Sequence, residues 1–370
     1  MAFPITFNPT LAALPVYQPG RPITEVAREL GIPASDIIKL ASNENPLGPS
    51  PLALAAVREM LPQSHLYPDG NAFHLKQKLA DHLGVTPAHL ILGNGSNEII
   101  EFVGHSVLAP GVDVVVSQYC FAIYPIIARM AGANVVTVPA RAHGHDLRAM
   151  LRAITPATRV VFVANPNNPT GTVAPREEVV ELINGVPDHV LLVMDEAYIE
   201  FLDDAVDLLP LIRANVRPNL VLMRTFSKIY GLAGFRVGYG IGHPEIIKTW
   251  EKVRQPFNIN SLAQAAALAA LADREHLQKT RHNNREGLRL YAQAFHELDL
   301  PYVPTPTNFI LVKVGDGARV VAELQQRGVI VRPMGGYQLP EFIRMSIGTP
   351  AENQRCLAAL RAVLGVIKSG

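Results

Sequence analysis

Two cysteines, Cys120 and Cys356, in a chain of 370 residues are too few for the disulfide framework of a secreted scaffold. The start, Met1-Ala2-Phe3-Pro4-Ile5-Thr6, lacks a basic segment followed by an apolar core, so a cytoplasmic location is expected. No charge-free run of about 20 apolar residues occurs, and the alanine-rich stretch 261–272 is too short to span a bilayer. A formal charge of +1 leaves no polyanion-seeking surface. The first 45 residues hold neither a helix-turn-helix pattern nor a basic cluster, which argues against nucleic acid as a partner. The histidines fall into no recognised metal-ligand spacing: His143 and His145 flank a glycine beside Asp146 and read as surface loop residues, so no metal is expected. Repeats and low-complexity tails are absent, and the prolines are scattered, so they punctuate loops and mark no disordered linker.

What is present is a chain that is 48% hydrophobic, enough to bury a large core. From about residue 50 to 240, strand-like apolar runs alternate with helical ones, which predicts an α/β fold with a mostly parallel sheet between helices. Long helices over 262–272 and 273–297 lead to a smaller α+β domain with strands near 308–314, 329–332 and 342–347 and a last helix over 352–364. The expected division is an N-terminal arm and part of the small domain at 1–45, a large domain at 46–260, and a linker helix with the small domain at 261–370.

Chemistry concentrates in four segments. The apolar run 190–194 ends in Asp195-Glu196-Ala197-Tyr198, which places a carboxylate at the carboxyl edge of a buried parallel strand. Further on, Thr225-Phe226-Ser227-Lys228 sets a lysine among bulky neighbours with Arg236 eight residues away, conditions that favour a neutral, nucleophilic amine. Gly93-Asn94-Gly95-Ser96-Asn97-Glu98 opens a helix whose unpaired N–H groups suit an anion. Asn165-Pro166-Asn167-Asn168-Pro169-Thr170-Gly171 follows the strand 159–164 as a rigid loop, either of whose X-Pro bonds is a candidate cis bond. An amine for an aldehyde, an anion for a ring nitrogen and donors for a phosphate are the three demands of pyridoxal phosphate. Alone, the glycine-rich segment and the proline loop are ordinary turns; their order along the chain is what makes them informative.

These motifs, together with Gly-Leu-Ala-Gly-Phe-Arg at 231–236 and Ile-Arg-Met-Ser-Ile-Gly-Thr at 343–349, resemble the fold-type I pyridoxal-phosphate aminotransferases, and within them the histidinol-phosphate aminotransferases, over nearly the whole chain. The resemblance implies a seven-stranded, mostly parallel sheet. It implies that Lys228 binds the cofactor's aldehyde, that Asp195 pairs the ring nitrogen, and that Asn168 and Tyr198 bond the ring's phenolic oxygen. Gly95, Ser96, Asn97, Ser227 and Arg236 fall to the phosphate, and Thr225 is a further cofactor-binding candidate. Phe121 matches the residue that stacks on the ring, although Tyr119 is a second candidate. Tyr67 matches a tyrosine that reaches the other subunit's phosphate across a homodimer. On the substrate side the resemblance points to Arg332 and Arg344, with Tyr17 from the partner; Asn45, beside Glu44, is a candidate for the imidazole pocket, and an Asn-Pro turn explains it equally well.

The expected activity is amino transfer between L-histidinol phosphate and 2-oxoglutarate, with imidazole-acetol phosphate and L-glutamate as products. An aromatic amino-acid aminotransferase is the alternative within the class, since phenylalanine and tyrosine also offer a flat ring and an anion. A non-catalytic cofactor-binding regulator on the same fold is the alternative outside it.

Overall fold

A computed structural model describes residues 5–16 and 20–369. Seven strands form the larger sheet: β2 (Leu90–Asn94), β3 (Asp113–Ser117), β4 (Asn134–Val138), β5 (Thr158–Ala164), β6 (Leu191–Asp195), β7 (Leu220–Thr225) and β8 (Val237–Gly242). Their order across the sheet is β2-β8-β7-β6-β5-β3-β4, with β8 alone running against the others. Side chains alternate between faces along a strand, so both faces of the sheet must be covered for runs such as Val160 to Ala164 to be apolar throughout. Both are. Val161, Val163, Leu192 and Met194 pack under one layer of helices, which includes Phe73–Leu83 and Arg176–Gly185. Val160, Phe162, Leu191 and Val193 pack under the other, made by Ser96–Val107, Ile123–Met130 and Pro244–Trp250. The expected α/β architecture with a mostly parallel seven-stranded sheet is what forms.

The smaller sheet is antiparallel, in the order β12 (Arg332–Pro333), β13 (Phe342–Ser346), β10 (Phe309–Lys313), β9 (Tyr302–Val303). β1 (Ile38–Lys39) pairs in parallel with β11 (Val329–Ile330), so the amino-terminal segment joins this second layer, where Ile38 and Leu40 enter the same core as Phe295, Ile310 and Leu360. The single strand expected over 329–332 is in fact two. Ile330 ends the pairing with β1 and Arg332 begins the pairing with β13, so the chain changes sheets at Val331.

One residue expected at the surface is buried. His145 is only 6% exposed, with Nε2 2.9 Å from the carbonyl oxygen of Ala164, whereas His143 is half-buried and stacks near Tyr119. The local sequence Gly144-His145-Asp146 gives no sign of this, because the burial comes from the end of β5, nineteen residues away. Burial depresses the His145 imidazole to about 4, although the Ala164 bond opposes the shift. The unfolded chain, with an ordinary value near 6.5, then binds the proton first as pH falls. Stability contributed by neutral His145 is therefore full above about pH 6.5 and is lost progressively toward pH 4. Thermal unfolding of His145→Gln across this range should show a flatter pH dependence than the parent, and equal slopes would contradict it. Among the described residues, no helix is long and apolar enough to cross a membrane.

Candidate active site

Because only β8 is reversed, the carboxyl ends of β2, β3, β5, β6 and β7 share one edge of the sheet with the amino end of β8. Ligands bind at that edge in open α/β sheets. Each expected motif sits there: Gly95 after β2, Phe121 beyond β3, Asn168 beyond β5, Asp195 closing β6, Lys228 beyond β7, and Arg236 just before β8. They surround a cavity of about 600 Å³ whose lining includes Ser96, Asn97, Phe121, Asn168, Asp195, Tyr198, Thr225, Ser227, Lys228 and Arg236. Arg332 and Arg344 of the smaller sheet and Tyr337, in the turn between β12 and β13, complete the lining.

Asp195 is buried and its two oxygens are held separately. Oδ2 accepts from the Tyr124 hydroxyl at 2.5 Å and Oδ1 from the Ala197 backbone N–H at 3.1 Å. Burial pushes its pKa up, while the Tyr124 bond, the Ala197 bond and nearby Lys228 pull it down. Tyr124 is itself fixed by stacking on Phe162, with ring centroids 4.6 Å apart and planes 3° from parallel. The next residue, Glu196, points to the opposite side of the strand and pairs with Arg224 at 2.8 Å, so only the first carboxylate of the Asp-Glu pair faces the cavity.

Lys228 Nζ donates to the Ser42 carbonyl at 3.3 Å and lies 5.6 Å from the centroid of the Tyr198 ring. Its flanking residues Phe226 and Ile229 are fully buried, as the expectation of an apolar setting requires. Burial raises the Tyr198 phenol to about 12, with Arg344 and a bond from Asn43 acting in the opposite direction. Missing side chains keep Arg236 close to the start of the helix Ser96–Val107. A Cβ on Gly95, which has φ of +72°, would meet Arg236 Nη2 at 2.5 Å, and one on Gly238 would come within 2.4 Å of the Ser96 backbone nitrogen. Arg236, itself left-handed at φ +57°, thereby reaches across to the start of the helix Ser96–Val107.

In the proline loop both Asn165-Pro166 and Asn168-Pro169 are cis. Asn167 is consumed internally, donating to the Tyr119 carbonyl and to Thr170 Oγ1, each at 2.8 Å. Asn168 instead lines the cavity and accepts at Oδ1 from Arg344 Nη1 at 2.6 Å. Arg344 also donates through Nη2 to the Ala41 carbonyl at 3.0 Å and lies over the Phe309 ring. Its register partner on the neighbouring strand is Arg332, and both arginines line the one cavity.

Some expected residues are not gathered here. Asn45 does not line the cavity: its Nδ2 donates to the Ile229 carbonyl and to Thr280 Oγ1, while Oδ1 accepts from the Leu47 N–H. The Leu47 bond is the Asn-Pro turn, the other two tie that turn to Ile229 and Thr280, and the neighbour that does reach the cavity is Glu44. Tyr119 packs near His143 and does not line the cavity, whereas Phe121 does. Tyr67 is 82% exposed and stacks on Phe257, outside this cavity. Tyr17 lies outside the described residues. Sequence reasoning missed Tyr124 and Asn43, whose bonds join positions 71 and 155 residues apart and leave no local pattern.

Residues 35–360 match the profile of the family described as aminotransferase class I and II. The chain belongs to that family. This aminotransferase is 51% identical over 358 residues to a histidinol-phosphate aminotransferase of Akkermansia muciniphila, covering 96% of this chain and 98% of that protein. Its structure resembles a histidinol-phosphate aminotransferase of Sinorhizobium meliloti, solved in complex with pyridoxal-5'-phosphate, with a TM-score of 0.90 and 31% identity, covering 99% of each chain. An aspartate aminotransferase of Thermus thermophilus with maleate shares the fold of this aminotransferase at a TM-score of 0.83 and 25% identity, covering 97% of this chain and all of that one.

Proposed function

We propose that this chain is a pyridoxal-phosphate-dependent aminotransferase that exchanges an amino group between L-histidinol phosphate and 2-oxoglutarate in L-histidine biosynthesis, yielding imidazole-acetol phosphate and L-glutamate. One observation carries the reading: Asp195, Lys228 and the opposed pair Arg332 and Arg344 line the same cavity. Pyridoxal phosphate fits the donor set. A buried carboxylate, a primary amine and an anion cradle kept open by glycine at 95 answer its ring nitrogen, its aldehyde and its phosphate.

When bound, the cofactor supplies an electron-withdrawing ring that stabilises negative charge at the substrate's α-carbon. The protein's part is to hold, orient and move protons. Lys228 Nζ would hold the cofactor's aldehyde, and as a free amine it would take the substrate's α-proton as general base. Asp195, whose oxygens accept from Tyr124 and Ala197, would pair with the ring nitrogen and favour a proton there. Asn168 and Tyr198 would serve the phenolic oxygen, Phe121 would pack against the ring, and Gly95, Ser96, Asn97, Thr225, Ser227 and Arg236 would hold the phosphate end. Arg332 and Arg344 serve the substrate phosphate. Like charges facing each other across two strands are unfavourable by themselves, and a dianion that accepts from both guanidinium forks turns that cost into binding. We place the protein in the cytoplasm as a homodimer; Tyr67, Leu66 and Phe257, all exposed, form an apolar surface suited to a second copy, from which Tyr67 would reach the neighbouring phosphate.

Alternation between two half-reactions requires ping-pong kinetics, so double-reciprocal plots at several 2-oxoglutarate concentrations should be parallel, and intersecting lines would contradict the scheme. Arg344→Ala should raise KM for histidinol phosphate about 10- to 100-fold, the size of one or two charge-assisted bonds, and leave the cofactor bound. Loss of cofactor with KM unchanged would exchange the arginine roles.

A further inference from the structure

Asn43 belongs to no helix or strand, has a left-handed backbone at φ +54°, and is 1% exposed, yet it joins three parts of the molecule. Its backbone N–H donates to Oγ of Ser346, on β13, at 2.8 Å. That Oγ donates to Asn43 Oδ1 at 3.2 Å. The Asn43 Nδ2 donates to the Tyr198 hydroxyl oxygen at 2.9 Å, and the Asn43 carbonyl accepts from Asn308 Nδ2 at 3.0 Å.

The directions of these bonds follow from the chemistry of the groups. A backbone N–H can only donate, so the single hydrogen of Ser346 is left for Oδ1. Occupying Oδ1 fixes which end of the amide faces Tyr198. An amide NH₂ can only donate as well, so the Tyr198 oxygen accepts from Asn43 and must send its own hydrogen elsewhere, on the side of the cavity it lines. Every link from Asn43 N–H to the phenol therefore runs one way, and donors in such a chain strengthen one another.

We propose that Asn43 is a positioning residue that, through this one-way chain, fixes the Tyr198 hydroxyl as a donor toward the cofactor's phenolic oxygen and ties that donor to the placement of β13 in the smaller sheet. The proposal rests on the pyridoxal-phosphate reading above. Ser346 neighbours Arg344 by two residues on the same strand, so the element that carries the substrate-side arginine also carries the first link of the chain. A seated β13 thus sets the hydrogen-bonding state of Tyr198.

A donor held on the phenolic oxygen withdraws charge from it and makes the lysine nitrogen bound beside it less basic. The experiment uses the holoenzyme and reads the pH midpoint of the visible absorbance change of the lysine-bound cofactor. Asn43→Gly removes the amide without strain at a positive φ, and Ser346→Ala removes the group that orients it; neither introduces charge. The midpoint should rise by about 0.5 to 1 pH unit in Asn43→Gly, the size of one hydrogen bond, and in the same direction in Ser346→Ala. Both shifts should vanish in a Tyr198→Phe background. An unmoved midpoint, or a shift that persists undiminished without the phenol, overturns the proposal; where Asn43→Gly loads no cofactor, Ser346→Ala decides by the same criteria. Failure of the cofactor reading itself looks different, since the unsubstituted protein would then show no such absorbance at all.

Discussion

Replacing Lys228 with alanine should abolish the visible absorbance of the lysine-bound cofactor and lower turnover by about 1000-fold or more, the range expected when a general base is removed. The loss should not come from misfolding. Lys228 Nζ donates to the Ser42 carbonyl, and its neighbours Phe226 and Ile229 are buried in the core and keep the turn after β7 in place. Circular dichroism and thermal unfolding should therefore be close to those of the parent. The bland reading of the same residues, a structural ion pair between Asp195 and Lys228, makes the opposite prediction. Removing the amine would then leave a buried carboxylate without its counter-charge, which costs stability and changes no spectrum. Retained absorbance in Lys228→Ala would refute the assignment.

Asp195→Asn should lower turnover about 100- to 1000-fold, because a preorganised charge facing the site of electron withdrawal is worth several kcal/mol in a buried setting. The substitution keeps the shape, and the amide can still accept from Ala197 N–H and meet the Tyr124 hydroxyl. What disappears is the anion, and with it the reason for a proton to stay on the ring nitrogen. The nitrogen-15 shift of isotopically labelled cofactor should move toward the value of an unprotonated ring while cofactor content remains near stoichiometric. An unchanged shift with reduced activity would assign Asp195 a role elsewhere.

Much of the site could be anticipated because its chemistry is carried by short segments that end strands. Asp195 closes a run of five buried residues, and Lys228 follows a run whose strand, β7, lies beside it; parallel neighbours necessarily present their carboxyl ends together. The proline loop and the glycine-rich loop are likewise local and fall on the same edge. The parts that were hidden are long-range. Nothing around Tyr124 signals that its hydroxyl meets Asp195, since on a helix start of apolar residues a tyrosine reads as core, which by stacking on Phe162 it also is. Asn43 stands in a loop beside an Asn-Pro turn, and its three partners come from β13, from the segment after β6 and from the approach to β10. His145 was misplaced for the same reason, since its burial is decided by the end of β5. The opposition of Arg332 and Arg344 depended on where the chain changes sheets at Val331, which an uninterrupted run of β-branched residues does not reveal.

The cavity chemistry serves amino transfer in general, and the aspartate aminotransferase likeness shows the fold to be common to more than one substrate. The most direct measurement of the central claim is therefore a single-turnover comparison: purified holoenzyme mixed separately with L-histidinol phosphate and with phenylalanine, without an amino acceptor, and followed by the spectral change from the aldehyde to the amine form of the cofactor. A much higher efficiency with histidinol phosphate, and recovery of the starting spectrum on adding 2-oxoglutarate, is the predicted result. A clear preference for phenylalanine would contradict it and make the protein an aromatic amino-acid aminotransferase.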